Sequence, residues 1–212
     1  MSMEKGQLSI HTENFLPIIK KWLYSDRDIF IRELISNCCD AVAKRRMVGQ
    51  IPDDYQPRVT VRVDKEHRIL SFTDNGVGMT AEEVRKYINQ VAFSGANDFM
   101  EKYKDSGEQI IGHFGLGFYS AFMVADKVRI DTLSCLPDAK AVCWESDGSV
   151  EYTMEETERE EVGTTVTLYL NNESDEFLDG NTVKSTIRKY CSFMPTPIYC
   201  EVAEDEKKHE HD

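Results

Sequence analysis

Basic residues are in short supply in this 212-residue sequence, where 25 lysines and arginines face 38 aspartates and glutamates, a net charge of −13 at pH 7. So acidic a chain repels nucleic acid unless its basic groups gather on one face, and no nucleic-acid partner is expected. Long apolar runs are also missing. None approaches the roughly 18 residues that would cross a bilayer, so no membrane partner is expected either. The opening MSMEKGQLSIHTENF lacks a basic region followed by an apolar stretch, and no secretory leader is expected from it. The six cysteines, at 38, 39, 135, 143, 191 and 200, form no CxxC pair. They read as small buried hydrophobes in a protein of the reducing cytoplasm. No internal repeat is present.

What remains is ordinary globular composition, 41% hydrophobic and 30% charged, in a chain long enough to bury a substantial core. Apolar positions recurring every three or four residues predict helices over 15–24 and 28–46. RVTVRVD (58–64) and RILSFT (68–73) flank Lys65-Glu66-His67 and predict a hairpin. Thr80 followed by Glu83 has the spacing of a capping box and predicts a helix start. A further helical pattern runs over 118–124, strands are expected at 127–133, 140–146, 164–170 and 197–202, and a last helix near 182–193. Residues 151–161 hold six glutamates and read as a solvated strand edge and turn. The charged tail 203–212 reads as the start of a linker. Hairpins with intervening helices predict an α+β fold, a two-layer sandwich with helices on one face of a mostly antiparallel mixed sheet.

Within IRELISNCCDAVAKRR, Glu33, Asn37, Asp40 and Lys44 are spaced by four, three and four, which puts them in one stripe of the helix. A solvated face would also show such a stripe. Asn and Asp are poor helix-interior residues, however, so their presence asks for another reason. If the stripe faces a pocket, the Asn37 amide oxygen suits Mg²⁺, a hard cation that keeps waters and phosphates around it. Glu33, one turn earlier, is then placed to act on an attacking water, and Asp40 and Lys44 reach the base and ribose end or support the network.

Two glycine-bearing turns follow. Asp74 closes a strand ahead of Asn75-Gly76-Val77-Gly78-Met79, where a carboxylate can accept from an exocyclic amine while glycines let a flat base approach the backbone. Gly112-His113-Phe114-Gly115-Leu116-Gly117-Phe118 is neither a Walker A loop nor a dinucleotide-binding fingerprint, but it sets glycines before a helix, where free N–H groups favour phosphate. Each feature alone has an ordinary explanation. The three together, in this order, point to a nucleotide site.

The order E-x-x-x-N-x-x-D-A, D-N-G-V-G-M and G-x-x-G-x-G-F resembles the ATPase superfamily of gyrase, the ninety-kilodalton heat-shock chaperones, histidine kinases and MutL. SDRDIFIRELISNCCDA (25–41), IIGHFGLGFYSAFMVADKV (110–128) and EVGTTVTLYL (161–170) resemble its chaperone branch, of the bacterial HtpG type. The resemblance implies the Bergerat-type ATP-binding fold over residues 1–202, a lid over about 89–117, and middle and dimerisation domains beyond the linker. It implies Glu33 as catalytic base, Asn37 as magnesium ligand and Asp74 as the adenine-reading carboxylate, with Gly78, Met79 and Thr164 around the base. Gly115, Gly117 and Phe118 match the phosphate end of the lid, and Ser94 and Gly95 match lid residues. Phe93 stands where many relatives carry lysine, and Cys38-Cys39 replaces smaller residues as a packing variation. The implied ligands are ATP or ADP with Mg²⁺. The implied partners are client proteins and a second copy in the full-length form. Slow hydrolysis would drive lid closure and dimer clamping, helped by an arginine outside this chain. A DNA-handling relative and a binding-only nucleotide sensor are the rival readings. The charge balance opposes the first and Glu33 the second.

Overall fold

The computed structural model describes residues 3–7, 27–49, 51–87, 117–149 and 151–203. Eight strands form one sheet: β1 (Glu4–Gln7), β2 (Val59–Asp64), β3 (Ile69–Asp74), β4 (Ala125–Leu133), β5 (Ala141–Ser146), β6 (Glu151–Thr157), β7 (Gly163–Leu170) and β8 (Ile198–Val202). Their order is β1-β6-β5-β4-β7-β3-β2-β8. Every neighbouring pair is antiparallel except β2 with β8. Among the described residues three α-helices accompany it, α1 (Ile29–Val48), α2 (Ala81–Lys86) and α3 (Gly180–Cys191), with 3-10 turns at Gly117–Met123 and Asp175–Leu178. The α+β sandwich expected from the sequence is what forms. Among the described residues, no helix is long and apolar enough to cross a membrane.

Alternation decides which sheet face meets the helices. In β2, Val59, Val61 and Val63 are buried while Thr60 and Arg62 turn away; in β3, Leu70, Phe72 and Asp74 are buried in the same manner. α1 lays Ile31, Leu34, Ile35 and Cys38 against this face. Phe30 joins the layers, with ring centroids 6.5 Å from Phe72 and 4.8 Å from Phe177. α1 has no side-chain cap of its own. Instead its N-cap residue, Asp28, accepts from the Tyr190 hydroxyl of α3 at 3.1 Å, tying the two helices together. The Thr80–Glu83 capping box is fully made and starts α2.

Two expectations change. Residues 117–123 wind as 3-10, not α, because Phe118, Tyr119 and Phe122 pack on one another and on Trp144, 5.7 Å from Phe118. The glutamate-rich stretch is an interior strand, not an edge: Tyr152 and Met154 turn into the core, and β1 covers the outer side of β6. The helix predicted over 15–24 lies outside the described residues, as do residues 204–212.

Candidate functional site

Between α1 and the sheet lies a cavity of about 180 Å³. Leu34, Asn37, Cys38, Asp40, Ala41 and Lys44 of α1 form one wall. Asp74, Ile130, Thr164 and Val166 form the floor, the loop Val77-Gly78-Met79 forms a second wall, and Tyr87 and Phe118 close the end. The polar stripe read from α1 therefore faces a pocket along three of its four members. Glu33 is the exception. It is 8% exposed and lies one turn before Asn37, off the cavity lining, with its Oε1 held at 3.0 Å by Arg32.

The loop after β3 is pressed against its neighbours, which is why glycine recurs there. A Cβ on Gly76 would lie 2.4 Å from the Ala41 carbonyl carbon, and Val77 N–H donates to Ala41 O at 2.9 Å. Gly78 has φ +65°, and a Cβ there would meet Leu133 O at 1.9 Å. This packing fixes Val77, Gly78 and Met79 as a wall. Met79 N–H donates to Thr132 Oγ1 at 2.9 Å, and that hydroxyl pairs with Thr164 Oγ1 at 2.8 Å.

Asp74 is the electrostatic centre. It is 4% exposed, and its Oδ1 accepts from Gly76 N–H at 2.8 Å. Burial pushes its carboxyl from 3.8 to about 6, against the opposing pull of the Gly76 N–H, the Cys38 thiol and the charge of Arg159. Cys38 stays a thiol, driven far up by burial and by Asp74, and donates its hydrogen bond to that carboxylate. At the far end Asn37 Nδ2 donates to the Tyr87 hydroxyl at 3.2 Å, leaving the amide oxygen as an acceptor. Burial raises Tyr87 to about 12, so it remains a neutral phenol.

The sequence reading placed Cys38 with packing thiols. In the structure it belongs to the cavity wall, because its position beside Asn37 on α1 overlooks the end of β3. Tyr87, Leu34, Ile130 and Val166 were also missed as site residues. Ile130 and Val166 are direct partners in the β4–β7 ladder, and the alternation of their own strands, ADKVRIDTL and TTVTLYL, was their only signal. Gly117 opens the 3-10 turn that carries Phe118 into the cavity. Ser94, Gly95 and Gly115, with the rest of the lid expected over 89–117 and with Phe93, lie outside the described residues. No cluster of three or more His, Cys, Asp or Glu able to hold a metal occurs among the described residues. A hard cation here would draw one oxygen from Asn37 and the rest from a ligand and water. A wider groove of about 620 Å³ runs along β5 and β6, but its Lys127 is already paired with Glu145 at 3.4 Å and no buried acid enters it.

The Asp74 carboxyl gives the cavity a pH signature. A group whose folded pKa is raised favours the folded state below its ordinary value and loses that contribution as pH rises through about 6. A ligand that donates a hydrogen bond to the ionised carboxylate therefore competes with protonation. Its affinity should hold above pH 7 and fall by roughly tenfold per unit well below the Asp74 pKa, near 6. Titration of adenosine diphosphate from about pH 8 to pH 5 checks this, with Asp74→Asn expected to lose that component of the slope.

The family profile described as histidine kinase-, DNA gyrase B- and HSP90-like ATPase matches residues 25–173. A chaperone protein HtpG of Bacteroides fragilis is 50% identical over 92% of this chain and 29% of its own length. That of Porphyromonas gingivalis W83 is 48% identical over 92% and 29%. That of Desulfitobacterium hafniense Y51 is 39% identical over 93% and 34%. The chain thus spans about a third or less of the curated relatives it matches.

Proposed function

The chain belongs to the histidine kinase-, DNA gyrase B- and HSP90-like ATPase family, and from that membership we propose that it is the nucleotide-binding unit of an ATP-driven molecular chaperone. The observation that carries this is Asp74, a buried carboxylate with free acceptor capacity on the floor of a cavity whose wall presents Asn37, Asp40 and Lys44. The cavity, about 180 Å³, is smaller than the roughly 300–1,000 Å³ of whole-ligand pockets. It suits the base, with the phosphates extending past Asn37. Asp74 accepts from the adenine amine, and Gly78, Met79 and Thr164 flank the ring. Ile130 and Val166 supply apolar surface. Asp40 and Lys44 serve the ribose side, and Gly115, Gly117 and Phe118 serve the phosphates, with Ser94 and Gly95 in the lid.

Asn37 is the residue that would hold Mg²⁺ beside the phosphates, where the ion neutralises their charge. Glu33 is the general base. Its carboxylate is paired with Arg32 and lies off the cavity lining, one turn before Asn37. Turnover in the isolated chain is slow because a further catalytic arginine comes from outside it. The domain runs over 1–202, with 203–212 as linker. The full-length protein works as a homodimer on client proteins, and six free thiols suit the cytoplasm.

Calorimetric titration with ADP and magnesium is the direct test. One site, lost on changing Asp74, is the expected result, and no binding overturns the reading. The DNA-handling rival is tested separately. At −13 the chain is expected to show no salt-sensitive binding to duplex DNA at about 100 mM salt. A steep fall of affinity with salt would restore that rival.

A further inference from the structure

On the sheet face turned away from α1, beside the end of β3, a second groove of about 600 Å³ gathers Arg45, Arg58, Arg62 and Arg159. In a chain with 38 acidic residues against 25 basic ones, carboxylates are in surplus. Elsewhere they are used: Arg27, Arg32, Arg68, Arg85, Lys127, Arg129, Lys140 and Lys189 all make ion pairs. Among the described residues none of the four groove arginines does.

Arg45, Arg58 and Arg159 are instead held by neutral groups. Arg45 is 7% exposed; it reaches round the strand end to donate to Asn75 O at 2.8 Å, stacks 4.6 Å from the Tyr55 ring, and leaves its buried Nε without a partner. Arg159 donates to the carbonyls of Asp131 and Glu161 and to Thr165 Oγ1, at 3.1, 2.9 and 3.0 Å. Burial lowers its pKa, against the opposing pull of the charges of Asp131, Asp74 and Glu161, none of which is in ion-pair contact with it. Arg58 lies 5.2 Å over the Tyr199 ring and reaches only Thr60 Oγ1, at 3.4 Å. Arg62 is exposed beside them. Thr60, Ser71 and Thr73 add hydroxyls between the guanidinium groups. Glu161 and Glu201 also line the groove, both exposed; the Glu161 charge acts on Arg159, but neither carboxylate makes an ion pair with an arginine.

Planar guanidinium forks interleaved with hydroxyls are the donor set that binds tetrahedral oxyanions. We propose that this groove is a second ligand site, distinct from the nucleotide cavity, for an oxyanion of the phosphate class carrying two or three phosphoryl groups. The volume exceeds that of a single phosphate, and the arginines enter from three places in the fold: the end of α1, β2 with the residue that leads into it, and the loop before β7. Asp74 lines both sites, the carboxylate of the cavity and the strand end of the groove. An anion that screens Arg159 removes part of what keeps Asp74 ionised, so occupancy of the groove weakens nucleotide binding, and the reverse holds by linkage.

The test is calorimetric titration of sodium diphosphate at low ionic strength into the protein saturated with ADP, which occupies the cavity. One site is expected. Triphosphate should bind more tightly than diphosphate, and a short glutamate peptide more weakly than either. The double variant R58A/R62A removes two exposed side chains, at the cost in the fold of only the surface contact of Arg58 with Tyr199 and its long bond to Thr60, and it should bind diphosphate at least about tenfold more weakly. Its affinity for ADP in the absence of diphosphate should be unchanged. No diphosphate binding, equal binding by the double variant, or tighter binding of the glutamate peptide overturns the proposal. Should ADP itself not bind, the comparison of parent with R58A/R62A still decides the groove, because neither residue touches the cavity.

Discussion

Glu33→Ala is expected to leave ATP binding in place and to slow turnover by the intact protein by roughly 10²–10⁴-fold, the range for loss of a general base. The two effects separate because of where the side chain sits. Glu33 contributes no atom to the cavity lining, so truncating it removes none of the surface that holds the base. Glu33 is 8% exposed, with Arg32 3.0 Å from its carboxylate, one turn before Asn37. Truncation also frees Arg32, which is partly exposed and can turn to water at small cost. Single-turnover measurement of hydrolysis beside equilibrium binding of ATP distinguishes the outcomes. Glu33→Gln should resemble Glu33→Ala in turnover, since the amide keeps the size and cannot take the proton. If binding and turnover fall together, Glu33 serves the structure of α1 and the base lies elsewhere.

Local chemistry made much of this fold readable. The Thr80–Glu83 box, the RVTVRVD/RILSFT hairpin and the alternation in TTVTLYL each act within a few residues, and each forms where expected. β1 was not readable, since EKGQ carries no apolar alternation and becomes a strand only by pairing with β6 across the fold. Over Gly117–Met123 the apolar pattern is too short to separate a period of 3.0 from one of 3.6, and the aromatic cluster around Trp144 decides it. Tyr152 and Met154 gave the one hint that a run with six glutamates would be an interior strand.

The candidate site divides along the same line. Asn37, Asp40 and Lys44 share a face by helical spacing, and Asp74 announces itself by the glycine turn that follows. Tyr87, Ile130 and Val166 come from three separate elements, and nothing local joins them. Cys38 shows the difference most clearly. Its apolar position on α1 reads as packing, and only the meeting of α1 with the end of β3 makes it the thiol that bonds the Asp74 carboxylate.

Asp74→Asn is expected to weaken ADP binding by roughly 30–150-fold, the equivalent of about 2–3 kcal/mol. Asn keeps the size of Asp, and its oxygen can still accept from Gly76 N–H, the 2.8 Å bond that shapes the turn. The other carboxylate oxygen then becomes an N–H₂ group facing the adenine amine. Two donors meet at a position only 4% exposed, and the alternative, a flipped amide, transfers the mismatch to Gly76. Preference for adenine over guanine should fall as well, because guanine presents a carbonyl where adenine presents an amine. Stability should move the other way. Ionised Asp74 burdens the folded state above its pKa of about 6, so a neutral isostere at neutral pH removes that burden, and the nucleotide-free variant should melt no lower than the parent. Calorimetry with ADP and magnesium measures the first effect, competition with GDP the second, and thermal denaturation without nucleotide the third. A variant that melts normally and binds ADP as tightly as the parent would reduce Asp74 to a turn residue and move the base elsewhere. One that loses both fold and binding would mean that the carboxylate shapes the Gly76 turn more than it reads the ligand.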